Sequence, residues 1–165
     1  MKTKTFLSML ICALAFISSQ TFSAGKLIVS EEVTLNGSAD QVWQAIGAFG
    51  GLYTWHPAIV STALTGTGSN AGDTRMLTLG DGATVTEVLV DHDDGTMQYS
   101  YVITASPLPV QNYFSTLEVV PKGENGATVV WSSTFDANGA SDEEAIEVIS
   151  GIYTGGFTAL IETFN

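Results

Sequence analysis

Apolar and polar positions follow three rhythms along the chain: an apolar run near the start, a long stretch of alternation, and helical spacing at the end. Through the alternating stretch, turn signals recur at fairly regular intervals, the mark of an antiparallel meander. They are GTGSNAGD (66–73), GDG (80–82), DHDDG (91–95), SPLP (106–109) and PKGENG (121–126). Between them the pattern predicts strands over 59–65, 74–79, 83–90, 96–105, 110–120 and 127–136, with a seventh over 26–35. Val85 and Leu89 share one face, as do Val129, Trp131 and Phe135, which half-buried strands require.

Two helical stretches interrupt or follow this run. Ser38 with Gln41 is a capping-box pattern, and Val42, Ile46 and Phe49 follow at helical spacing. Gly50-Gly51 is expected to stop that helix, leaving 52–55 about one further turn before Pro57. Ser141 with Glu144 is a second capping box, with Asp142, Glu143 and Glu144 on the positive end of the helix dipole. From Ile146 the stripe Ile149, Ile152, Tyr153, Gly156, Phe157, Leu160, Ile161 and Phe164 predicts a helix about 35 Å long, enough to cross a sheet. Gly151, Gly155 and Gly156 lie inside it, which a kink or close packing of the helix on the sheet would explain; the sharper expectation is that Gly156, on the stripe, leaves room for a ligand. The class is α+β: a seven-stranded antiparallel sheet wrapped around a long C-terminal helix, with two short helices after the first strand.

The apolar run changes the picture at the N-terminus. Lys2 and Lys4 precede about a dozen apolar residues and then SSQTFSA, the layout of a secretory signal peptide cleaved near Ala24. The run is too short to span a bilayer, which takes about 20 apolar residues. Ile11 before Cys12 is not small and the apolar run continues past it, which argues against lipid attachment there. The expected layout is a leader over 1–24 and one domain over 25–165, periplasmic or secreted, with no membrane anchor after cleavage. Cleavage takes the sole cysteine, so no disulfide is expected. It also removes two of the five cations and no acid, taking the formal charge from −12 to −14. Lys26, Arg75 and Lys122 remain, and such a surface repels nucleic acid and anionic headgroups. Solubility explains the acidity; docking of a basic partner protein is the sharper alternative.

Arg75 and Glu87 are the foremost candidates for a site. If GDG is a three-residue hairpin loop, Leu79 pairs with Ala83, Leu77 with Val85 and Arg75 with Glu87, all on the concave face. A two-residue loop would separate the charges. Buried charges must be paired, so the pair either braces two strands, orients a ligand or acts as acid and base. His56, between Trp55 and Pro57, is expected to cap or hydrogen-bond near a cavity mouth; His92, in an acidic run, is read as a solvated turn residue. Two histidines so placed give no zinc site, and the aspartates around His92 lack the spacing of a calcium loop. No metal or cofactor is expected. The glycine-rich 66–72 lacks the lysine and following helix of a phosphate loop, and no GxSxG elbow is present. Trp55, Tyr99, Tyr101, Tyr113, Trp131, Tyr153 and Phe157 are expected to line the interior, as core by default and as ligand partners where their polar ends need one.

The order of these elements resembles the START/SRPBCC superfamily, in its polyketide cyclase/dehydratase-like branch, over about residues 26–164. The resemblance rests on Ala39, Val42, Trp43 and Ile46; on Trp55-His56-Pro57; on Arg75, Thr78-Leu79 and Asp81-Gly82; and on Glu87, Tyr99, Tyr101, Ser106-Pro107-Leu108-Pro109, Trp131 and Phe135. An exported member is also similar to the MxaD group of periplasmic accessory proteins associated with methanol oxidation. The resemblance implies a helix-grip fold with a mostly apolar cavity between sheet and terminal helix. The leading expectation is an exported binding protein for a small apolar or amphipathic molecule. A cyclase, dehydratase or isomerase using Glu87, Tyr99 or Tyr101 is the alternative, and an accessory factor docking a basic partner is the third reading.

Overall fold

The computed structural model describes residues 25–165. The expected leader and its cleavage site lie outside the described residues. The elements run β1 (Leu27–Asn36), α1 (Ala39–Ile46), a 3-10 helix (Phe49–Thr54), β2 (Ile59–Thr65), β3 (Thr74–Leu79), β4 (Thr84–Asp93), β5 (Gln98–Ala105), β6 (Val110–Pro121), β7 (Gly126–Ala137) and α2 (Asp142–Phe164). The strands form one antiparallel sheet in the order β1-β7-β6-β5-β4-β3-β2. Both capping boxes form: the Ser38 and Ser141 hydroxyls accept from the amides of Gln41 and Glu144, whose side chains return to the cap amides. This is the helix-grip α+β fold.

The hairpin loop between β3 and β4 sets the register that matters most. The Leu79 amide donates to the Ala83 carbonyl at 2.8 Å, Leu77 faces Val85 and Arg75 faces Glu87. Register shifts in β2, β4 and β6 bend the sheet around α2, which packs Ala145, Ile149, Tyr153, Phe157 and Leu160 into its concave side. Ile146 and Ile161, expected on this stripe, are instead 37% and 42% exposed, because the buried face is centred one residue earlier, on Ala145. No described helix is long and apolar enough to cross a membrane.

Two local expectations are corrected. Helix α1 stops at Gly47, not at Gly50-Gly51, which lie inside the 3-10 helix. A Cβ on Gly47 would stand 2.5 Å from the Trp43 ring, so the stop falls where glycine is sterically required. Strand β4 continues through His92 to Asp93, past the start of the expected turn, because a bulge after Leu89 resets its pairing with β5. His92 is therefore no solvated turn residue. Its Nε2 donates to the Gly47 carbonyl at 2.9 Å and its ring stacks on Tyr99.

The glycine-rich loop after β2 is a hairpin turn, and it carries its own anion. The Asp73 Oδ2 accepts from the amides of Thr67, Gly68, Ser69 and Asn70 and from the Thr67 hydroxyl. Those bonds hold the Asp73 pKa below its ordinary range.

Candidate ligand-binding cavity

Arg75 is fully buried, and three kinds of contact hold its charge. Its Nε donates to Glu87 Oε2 at 2.5 Å and its Nη1 to the Phe49 carbonyl at 2.5 Å. Its guanidinium lies 4.2 Å from the Phe49 ring centre and 4.9 Å from that of Tyr101. Burial alone would lower the Arg75 pKa, but the Glu87 carboxylate and the neighbouring tyrosines raise it, and Arg75 stays a cation. Burial lifts the Glu87 carboxyl above its ordinary value while Arg75 opposes that shift.

A second polar system crosses the core from β5 to α2. Trp131 Nε1 donates to the Tyr101 hydroxyl at 3.0 Å and to Ser115 Oγ at 3.2 Å. Ser115 gives its proton to the Ser132 carbonyl at 2.8 Å, so in the 3.3 Å contact with Tyr153 the tyrosine donates. With the Tyr153 proton so placed, Tyr113 donates to Tyr153 across 2.5 Å. Burial raises all three phenols, that of Tyr153 to about 12 and those of Tyr101 and Tyr113 well above the ordinary value, so they are neutral donors near pH 7.

His56 ties the 3-10 helix end to α2. A carbonyl can only accept, so His56 Nε2 carries the proton it gives to Ile152 at 2.9 Å, and Nδ1 accepts from the Ala58 amide at 3.2 Å. Burial lowers its pKa, which keeps the ring neutral. Gly156, one turn on, is the close-approach point: a Cβ there would lie 2.7 Å from His56 Cδ2 and 2.9 Å from Trp55 Cζ3. The expectation that Gly156 leaves room for a ligand is corrected on this ground; its space is filled by Trp55 and His56.

Between these systems lies a cavity of about 230 Å³ with an almost wholly apolar wall. Glu87, Tyr101, Tyr113, Trp131 and Tyr153, five of the ten expected residues, line it, as does His56. Trp55, Arg75, Tyr99, Gly156 and Phe157 do not. Arg75 stands behind Glu87, Tyr99 packs between Trp43 and Phe49, and Trp55 and Phe157 pack against Trp131. At the rim, Ala58, Leu79, Leu108, Val148 and Ile152 are exposed or half-buried. Sequence reasoning placed Leu79 on the concave face and Ile152 on the helix stripe, and missed Ala58, Leu108 and Val148 as lining residues. Val148 and Ile152 stand four apart on α2, a spacing that could have marked them as neighbours.

The family described as polyketide cyclase / dehydrase and lipid transport matches residues 26–165. Among solved structures, an uncharacterised protein from Bacillus thuringiensis is 40% identical, with TM-score 0.78 over 84% of this chain and 98% of its own. XoxI from Bacillus cereus is likewise 40% identical, with TM-score 0.78 over 83% and 94%. The Zhui aromatase/cyclase from Streptomyces sp. R1128 shares the fold at 17% identity, with TM-score 0.65 over 82% and 89%. No curated protein matches the chain. This chain belongs to the polyketide cyclase / dehydrase and lipid transport family.

Proposed function

We propose that the protein binds a small hydrophobic or amphipathic molecule in the cavity between the sheet and α2. The observation that carries this is an apolar cavity of about 230 Å³ whose buried polar neighbours are mostly engaged with one another. An apolar cavity of about 150 Å³ takes up benzene, so this one suits a molecule somewhat larger than a single ring. The basic residues and short apolar run before Ala24 support a periplasmic or secreted location. The raised Glu87 carboxyl supports a second reading, a cyclase, dehydratase or isomerase on the same cavity. The acidic surface supports a third, docking of a basic partner.

Calorimetric titration with ethylbenzene tests the first reading. Saturable one-to-one binding is expected, and it should be lost in Val148→Trp, which fills the rim. No heat beyond dilution, or equal binding by Val148→Trp, would refute the assigned cavity. Turnover of a bound compound with a bell-shaped pH–rate profile would favour the enzyme.

A further inference from the structure

Among the described residues, Arg75 Nη2, Tyr99 Oη and Trp55 Nε1 are buried without partners behind the wall. Among the polar side chains that line the cavity itself, two groups are left uncommitted. His56 uses both ring nitrogens, Trp131 Nε1 is shared by two acceptors, and the protons of Tyr113 and Tyr153 are each assigned to an oxygen within the protein. Tyr101 only accepts, from Trp131, so its own O–H has no acceptor among the described residues. Glu87 gives Oε2 to Arg75, and its Oε1 has no partner there either. Both residues line the cavity. Tyr101 pairs with Leu89 and Glu87 with Ile103, which sets Tyr101 and Glu87 diagonally across β4 and β5 on one face. The Arg75 guanidinium lies against both, bonded to Glu87 and 4.9 Å from the centre of the Tyr101 ring.

We infer that the cavity takes a neutral, ring-sized compound carrying a hydroxyl group, which accepts from Tyr101 and donates to Glu87. This rests on the binding role proposed above and names the ligand's chemistry. A single hydroxyl is both donor and acceptor, so it satisfies both groups at once. A hydrocarbon would leave both unmatched in an apolar enclosure. A carboxylate would face Glu87, while the cation that could have drawn it stands behind the wall, with Nε and Nη1 committed and Nη2 buried away from the lining. An ammonium would bring excess positive charge to a pair already balanced.

The test compares ethylbenzene, 4-ethylphenol, 4-ethylanisole and 4-ethylbenzoate by titration calorimetry at pH 7. The phenol should bind about tenfold tighter than ethylbenzene. The ether, which accepts but cannot donate, should fall between them, and the benzoate should not bind. Tyr101→Phe leaves the phenol only its bond to Glu87 and should cut its advantage over ethylbenzene to about threefold; Trp131 keeps Ser115 as acceptor, so the fold should hold. Phenol and hydrocarbon binding equally would overturn the hydroxyl assignment while the binding role stands. Neither binding would remove both. An equal loss for both ligands in Tyr101→Phe would mean that Tyr101 only shapes the wall, and would also overturn it.

Discussion

The two ends of the concave sheet face are built from the same strands and filled in opposite ways. At the α1 end, Trp43, Phe49, Tyr99 and His92 pack ring against ring, and Arg75 is sealed beneath them. At the other end, Ile103, Leu108, Val148 and Ile152 surround open volume. Glu87 and Tyr101 stand at the border, each with one side engaged in the packed end. The filled end fixes charged and polar groups in place; the hollow end can then stay apolar without leaving most of them unsatisfied.

Breaking the filled end should have the largest effect. Arg75→Ala leaves Glu87 as a buried charge without its partner and should cost about 3–5 kcal/mol in urea unfolding. Joint replacement of Arg75 and Glu87 by leucine should recover much of that loss; strictly additive losses would show that the pair is not coupled.

Gly156 tests where the boundary runs. Gly156→Leu drives its side chain into His56 and Trp55 and should destabilise by about 1–3 kcal/mol through overpacking. Gly151→Ala, with nothing within 4 Å of its Cβ, should raise stability by up to about 1 kcal/mol. A Gly156→Leu protein as stable as the parent would place open volume where the structure puts Trp55 and His56.

The smallest effect is that of pH on His56. Burial lowers its pKa in the fold, so the unfolded chain takes up a proton first as acidity rises. The stability linked to neutral His56 is whole above about pH 6.5. It is lost as pH falls from there to the lower folded value. Urea midpoints between pH 8 and pH 5 should therefore fall further for the parent than for His56→Gln, and parallel curves would refute the assignment.

What could be read from the sequence follows from how local each cause is. The Arg75–Glu87 pairing was legible because a three-residue loop fixes which residues of β3 and β4 share a face. The capping boxes were legible for the same reason: each is closed within four residues. His92 was misread because its strand is extended by a bulge that only the partner strand β5 reveals. Gly156 was misread because a helical glycine looks alike whether it faces open space or another chain segment. In α2 both occur within six residues: Gly151 and Gly155 have open surroundings, and Gly156 meets the segment from the 3-10 helix. Half of the expected lining residues lie behind the wall, since alternation gives the face of a strand and not the depth at which packing ends.

The carboxylate of Asp73 has a consequence for the order of assembly. Its five donors all lie within six residues of it, so the loop closes on contacts of very short sequence separation. Little chain entropy is lost in making them. The β2–β3 hairpin can thus be nucleated from its turn, before the distant β1–β7 pairing is made. A loop that looks like a receptor for phosphate is in effect a starter for the sheet.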